Sequence, residues 1–210
     1  MFTGIVQSAC KVARIDQKTG LNRYYIDIPH AYRSGIQNGA SIAVDGVCLT
    51  VTGYDPSNQT VEFDAMQETL TLTTIGALSE NDSVNVERSA TLDKELGGHM
   101  VSGHVDGTCE VVNIESTENN CTVSYRYPPA FDKYLFQKGF VALNGCSLTI
   151  AAIDHKKHEL SVCYIPETLD ITTHGSKKIG DKVNIEIDRQ TQAVVDTVER
   201  VLAAREALTS

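Results

Sequence analysis

The sequence predicts an all-β chain: two tandem copies of one small domain, followed by a helix. Three observations carry that expectation. Slid against itself by 99 positions, the chain of 210 residues comes into register without a gap. Over 1–89 against 100–188, 23 of 89 positions are identical, where chance at average usage gives roughly 6%. Each copy reads as short β runs with turn punctuation, and after Asp188 the apolar period changes to that of a helix.

The repeat falls on whole motifs. MFTGIV at 1–6 meets MVSGHV at 100–105, and DGVCLTV at 45–51 meets NGCSLTI at 144–150. QETLTLTTIG at 67–76 meets PETLDITTHG at 166–175, and DSVNVE at 82–87 meets DKVNIE at 181–186. A 99-residue period is too long for a solenoid unit of ~20–50 residues, so a whole domain is duplicated. Within each copy, TVEFDAM and LSVCYI alternate, SIAV and LTVT are β-branched, and Gly46, Asp55-Pro56-Ser57-Asn58 and Gly145 read as turns. Several short strands in about 90 residues suggest a small antiparallel barrel or sandwich, and closure into a barrel removes exposed strand edges. The expected units are residues 1–98, 99–188 and a helix over 189–210. In that helix Val194, Val195, Val198, Val201 and Leu202 form one face, with Glu199, Arg200, Arg205 and Glu206 on others. The stripe must bury itself against a barrel or against other copies of the chain.

Composition narrows the function classes. Hydrophobic residues at 41% and charged residues at 21% are ordinary globular values. No window holds 18 uninterrupted apolar residues, and MFTGIVQSACKVARI lacks the basic stretch and apolar core of a signal peptide. A net charge of −9 argues against a general phosphate-backbone binder. The expectation is a soluble, cytoplasmic protein. Six cysteines without a C-x-x-C pair, and six histidines without H-x-x-x-H spacing, read as buried small residues and not as a zinc site.

The copies differ where chemistry is expected. His104 aligns with Ile5, so only the second repeat carries an imidazole there. A random histidine is more often a structural group, but this one follows Ser102-Gly103, the match of Thr3-Gly4, and an imidazole moves protons near neutral pH. His99 reads as structural or supporting. Cys48 and Ser147 are aligned mates, each followed by Leu-Thr. Two-residue spacing in a strand puts Cys48 with Thr50, and Ser147 with Thr149, on one face. A reactive Cys48 would need a nearby base or cation to form the thiolate.

Together MFTGIV, the two [ND]G-x-[CS]-LT motifs, GGHMVSGH at 97–104, PETL and VNIEID at 183–188 resemble the riboflavin synthase family, alpha chain. The resemblance covers nearly the whole chain. It implies two similar six-stranded Greek-key barrels and a carboxyl-terminal helix, assembled as a homotrimer around the helices. It implies a dismutation in which two molecules of 6,7-dimethyl-8-ribityllumazine exchange a four-carbon unit, giving riboflavin and 5-amino-6-ribitylamino-pyrimidinedione. No cofactor or metal is expected, there is no nucleic-acid or membrane partner, and the family admits an association with lumazine synthase.

By the same resemblance, Gly4, Ile5 and Val6, and Gly103, His104 and Val105, are ring-contacting segments. Cys48, Leu49 and Thr50, and Ser147, Leu148 and Thr149, contact the lumazine. Asp64, Ala65, Met66, Gln67, Glu68 and Thr69, and Ile165, Pro166, Glu167, Thr168, Leu169 and Asp170, lie beside the ring and ribityl chain. Lys138 contacts ligand. The catalytic candidates are His104, Cys48, Ser41, Ser147, Thr149 and Asp188. One departure stands out: the family's Asn-Gly and Asp-Gly are exchanged here, as Asp45 and Asn144. An amide cannot accept a proton as a carboxylate does, so acid–base work would shift to His104 and Asp188, or Asn144 holds a tight turn.

A reaction between two identical molecules needs two similar pockets face to face, and holding both in register can remove ~7–11 kcal/mol of barrier. The lumazine 7-methyl group is the carbon acid, because its carbanion delocalises into the ring; the second molecule, attacked at C7, becomes the donor. The expected site lies where the first repeat of one chain faces the second repeat of a neighbour. His104, Ser147 and Thr149 would stand on one side, with Cys48 and Ser41 opposite. Two other classes remain: a lumazine-binding antenna protein of the kind found in luminous bacteria, and a flavin-binding module of a reductase. The reductase reading lacks a G-x-G-x-x-G after a strand and a second α/β domain.

Overall fold

The computed structural model describes residues 1–54, 57, 59–91, 96–117 and 120–209. Of the expected turn at 55–58 only Ser57 falls among them. Strands β1 (Ser8–Lys18), β2 (Leu21–Asp27), β3 (Ser41–Val44), β4 (Val47–Tyr54), β5 (Thr60–Met66) and β6 (Ser83–Arg88) close into an antiparallel barrel in the order β1-β2-β5-β4-β3-β6. Strands β7 (Gly107–Ser116), β8 (Cys121–Arg126), β9 (Phe140–Leu143), β10 (Cys146–Asp154), β11 (Glu159–Tyr164) and β12 (Lys182–Ile187) close a second barrel with the same order shifted by six. The choice between barrel and sandwich is thus settled by the β1–β6 and β7–β12 pairings, which close each sheet on itself. Ladder irregularities repeat at the 99-residue spacing: Val12/Arg14 and Val51/Gly53 in one barrel, Val111/Asn113 and Ile150/Ala152 in the other. Bulges at matched places increase twist and let so few strands curl shut.

Alternation decides the two interiors. In β5 Val61, Phe63 and Ala65 point inward, and in β11 Leu160, Val162 and Tyr164 do. The chain then crosses over. The amino-terminal arm, residues 1–6, places Val6 in the second barrel's core, while the linker arm, residues 100–105, places Val105 in the first. Each valine is nearly fully buried, worth roughly 1.5–3 kcal/mol apiece. The arms meet in a two-residue antiparallel bridge, Phe2 N–H to Val101 O at 2.8 Å and Val101 N–H to Phe2 O at 3.1 Å. Phe2 and Val101 join Ala43 and Ala142 in a small apolar cluster between the barrels.

The inter-barrel contact is completed by the two exchanged turn residues. Asp45-Gly46 and Asn144-Gly145 are left-handed pairs, with φ of 44° and 43° at the first residue, the geometry of a two-residue hairpin turn. Asp45 Oδ1 accepts from Asn85 N–H at 2.8 Å and Asn144 Oδ1 from Asn184 N–H at 2.7 Å. Asn85 and Asn184 then reach across, each donating to the opposite turn's carbonyl. Both turns are buried there, so Asn144 holds a tight turn and takes no acid–base role.

Helix α4 (Arg189–Thr209) follows β12; short helices α1 (His30–Arg33), α2 (Gln67–Leu72) and α3 (Pro166–Ile171) lie between strands. Asp188 caps α4, Oδ2 accepting from Thr191 N–H at 3.0 Å and Thr191 Oγ1 at 2.7 Å. Lys133 pairs with Glu199, and Tyr134 O–H donates to Asp196 at 2.6 Å, so the polar side of α4 touches the second barrel through these contacts. Val194, Val198, Val201 and Leu202 are each about half exposed or more. Val195 is partly buried and borders a hollow with Lys133 and Phe136 of the second barrel, so among the described residues of one chain the stripe is partly covered at its start and open from Val198 on.

Candidate active site

The outer faces of β3 and β4 carry the first set of functional groups. Ile42, Val44, Leu49 and Val51 turn into the core, so Ser41, Ala43, Cys48 and Thr50 face out. Register sets Ser41 opposite Thr50 and Ala43 opposite Cys48. The linker arm lies across this face: Cys48 N–H donates to Gly103 O at 2.8 Å. Only glycine fits, since a Cβ on Gly103 would stand 2.6 Å from Cys48 Cβ, at a φ of +81°. The result is a hollow of about 290 Å³ lined by Val47, Cys48, Glu68, Thr69, Leu72, Thr73, Gly103, His104 and Val105. Residues of both repeats build it.

The matching face of the second barrel is the same construction with the arms exchanged. Ser147 N–H donates to Gly4 O at 2.8 Å, and a Cβ on Gly4 would stand 2.5 Å from Ser147 Cβ. Ile5 takes the position of His104, and Phe140, opposite Thr149 in register, takes that of Ser41. Over this face lies the segment before the arm. Ser147 Oγ accepts from His99 N–H at 3.2 Å and sits 2.6 Å from His99 Nδ1, and the His99 ring stacks on Phe140 at 5.1 Å. Burial lowers the His99 pKa, opposed by the nearby Asp188 carboxylate.

Two buried glutamates hold the arms. Glu87 accepts from Thr3 N–H, Thr3 Oγ1 and Gly4 N–H at 2.6, 2.7 and 3.0 Å; Glu186 accepts from Ser102 N–H, Ser102 Oγ and Gly103 N–H at 2.7, 2.7 and 3.0 Å. Burial pushes both carboxyls above the usual glutamate range, and the hydrogen bonds from the arms pull them part of the way back.

The structure thus regroups the expected residues. His104 stands in the hollow with Cys48, Glu68 and Thr69, and not beside Ser147 and Thr149, because the arms cross between barrels. Several side chains in the expected ligand segments are committed elsewhere. Asp64 forms a bidentate pair with Arg23 at 2.7 and 2.9 Å, which holds its carboxyl below the usual range. Ala65, Val6, Leu49, Val105 and Leu148 are core. Asp188 caps α4 and lies near His99, on the side of Ser147. Lys138 is exposed, with a left-handed φ of 68° where the first repeat has Gly39. Met66, Gln67, Glu167 and Ile165 are exposed, while Pro166, Leu169 and Asp170 border a separate hollow of about 270 Å³ beside Tyr164. Sequence reading missed the pairing of His99 with Ser147 and the tethering by Glu87 and Glu186. The glutamates had a signal, since they align in the repeat; His99 had none, because its partner is 48 residues away.

The lumazine binding domain family matches residues 3–89 and 102–188. The riboflavin synthase of Escherichia coli (strain K12) is 47% identical over 207 residues, covering 98% of this chain and 95% of that one. The chain belongs to the riboflavin synthase family. Another member, from Chlamydia pneumoniae, is 42% identical over 205 residues, covering 97% of this chain and 98% of its own. Among solved structures, LumP complexed with riboflavin superimposes with a TM-score of 0.82 at 26% identity, covering 90% of this chain and all of that one. Family membership accounts for the paired geometry: two copies of one domain, each lending an arm to the outer face of the other.

Proposed function

We propose that this chain is a riboflavin synthase, converting two molecules of 6,7-dimethyl-8-ribityllumazine to riboflavin and 5-amino-6-ribitylamino-pyrimidinedione by transfer of four carbons. One observation carries the reading. The chain holds two arm-crossed barrel faces of one construction whose chemical groups differ: imidazole and thiol at His104 and Cys48 in the hollow of the first, Ile5 and the Ser147–His99 pair on the second. Two identical reactants with unlike roles need this combination. In the first pocket His104 would move the 7-methyl proton, with Glu68 and Thr69 offering acceptors to ribityl hydroxyls. In the second, Ser147 and Thr149 would fix the ring of the other molecule. An antenna role is less well supported, since the curated synthases stand at 38–47% identity, well above the 26% of the LumP complex.

The reading includes a homotrimer in which α4 stripes pack together and the first pocket of one chain faces the second pocket of its neighbour. The uncovered Val194, Val198, Val201 and Leu202 support it. Six free cysteines fit the reducing cytoplasm, and no helix among the described residues is long and apolar enough to cross a membrane. An association with lumazine synthase would deliver substrate directly.

The deciding experiment is turnover. Purified protein with chelator and no added nucleotide should produce the riboflavin absorbance band from the lumazine. A tightly held lumazine that never becomes flavin would reject the synthase reading. A variant ending at Asp188 should sediment as a monomer and lose turnover; an intact trimer would reject the helix-centred assembly.

A further inference from the structure

We propose that Arg189 is a positioning residue for His104, clamping the arm that carries the imidazole to the first turn of α4; this rests on the function proposed above. Its guanidinium gathers four acceptors: Asp106 Oδ1 at 3.0 Å, Ser102 Oγ at 3.4 Å, the His104 carbonyl oxygen and Gln192 Oε1. Three of them lie in residues 102–106, so the arm is gripped on both sides of His104. Asp106 turns its other oxygen to Ile187 N–H at 2.8 Å, which anchors the clamp to β12. His104 itself is exposed at the rim of the hollow and sits on irregular backbone. Its direction follows from where the arm is held.

The first repeat supplies the control. At the places of Asp106 and Arg189 it has Gln7 and Ala90. Gln7 Oε1 accepts from Arg88 N–H at 3.1 Å, so the tie to the last strand is kept in both repeats. The charged clamp is not. It accompanies the arm that carries His104 and is missing from the arm that carries Ile5. A planar fork of donors suits three acceptors spread over five residues, which a single ammonium cannot reach together. Because Arg189 opens α4, whatever seats the uncovered stripe of that helix also sets the His104 arm.

The test is a double-mutant cycle on the full chain, with Arg189→Ala and Arg189→Lys made in the native and His104→Gln backgrounds. Misplacement on the ångström scale can cost about 10²-fold. We expect Arg189→Ala to lower kcat by about 10- to 100-fold, with KM within about threefold and the thermal midpoint within a few degrees. Arg189→Lys should recover part of the loss through the Asp106 pair. In the His104→Gln background, Arg189→Ala should cost less than about twofold more, since the group it places is already gone. Unchanged kcat in Arg189→Ala, or the same loss in both backgrounds, overturns the proposal. If the native protein shows no turnover, the function reading alone has failed. The clamp is then read from ring-proton contacts of His104 by NMR: loss of its contacts to Cys48 and Thr69 across the hollow in Arg189→Ala supports it, and unchanged contacts overturn it.

Discussion

The first and second barrels share strand order, bulge positions and glutamate-tethered arms, yet at matched places they hold His174 against Ile75, Asn144 against Asp45, Ser147 against Cys48 and Phe140 against Ser41. The shared residues make the barrel close and the arms lie down. The unlike ones sit on the outer pocket faces, on the axis between barrels and in one core. There the first barrel is apolar, with Tyr24 O–H donating to Ile75 O at 2.7 Å. The second carries a buried chain instead. His174 Nε2–H donates to Leu143 O at 3.0 Å, Tyr164 O–H donates to Nδ1 at 3.1 Å, and Tyr125 O–H donates to Tyr164 at 2.8 Å. A duplicated scaffold can therefore keep its packing while its two copies acquire different chemistry and different responses to pH.

The sharpest way to break the comparison is at the arms. His104→Gln keeps polarity without basicity, and general acid–base groups contribute about 10²–10⁴-fold. Turnover should fall at least about a hundredfold while lumazine binding, read by fluorescence, persists. Ile5→Gln, the matched change in the other arm, should alter binding more than kcat. Survival of turnover in His104→Gln within a few-fold would move the pocket asymmetry elsewhere, to Cys48 against Ser147.

A smaller effect concerns the cores. Burial depresses the His174 pKa to about 4, so the folded protein holds it neutral while the unfolded chain takes up a proton below about 6.5. Its contribution is complete above about pH 6.5 and is lost as pH falls toward about 4. His174→Ile, which copies Ile75, should narrow the loss of unfolding free energy between about pH 7 and about pH 4.5 by about 2 kcal/mol. An unchanged acid dependence in urea titrations would show that other groups govern it.

The smallest effect lies on the axis and has the opposite sign. Burial raises the Asp45 carboxyl to about 7, so its stabilisation is full below about pH 3.9 and is lost as pH rises through about 7. Asp45→Asn copies Asn144, whose Nδ2 is buried without a partner among the described residues, and that orphan donor offsets part of the gain. The variant should be more stable by about 1–2 kcal/mol at about pH 8 and no more stable at about pH 4. Equal effects at both pH values would remove Asp45 from the alkaline side of the profile.

Much of this was legible in one dimension. The 99-residue self-match located both copies, the period-2 alternation of TVEFDAM and LSVCYI located core strands, and Val194 to Leu202 marked the helix face. Cys48 with Thr50, and Ser147 with Thr149, share outer faces as strand period alone requires. What alternation could not say is which arm lies on which pocket. Residues 1–6 and 100–105 look equivalent, and their crossing is decided by tertiary fit: Val6 and Val105 fill the opposite barrels, while Gly4 and Gly103 pass against Ser147 and Cys48.

Local period and repeat spacing are properties of neighbouring residues, so the sequence by itself determined the duplicated β architecture, the core faces and the helix that follows. Contacts between residues 48 to 139 positions apart carry no local signature. Only the tertiary structure decided that His104 joins Cys48, that His99 meets Ser147, and that Asn184 reaches the Asp45 turn. The physical reason is that these pairings depend on how two closed barrels dock, and docking is set by shape and buried hydrogen bonds that form only once both barrels exist.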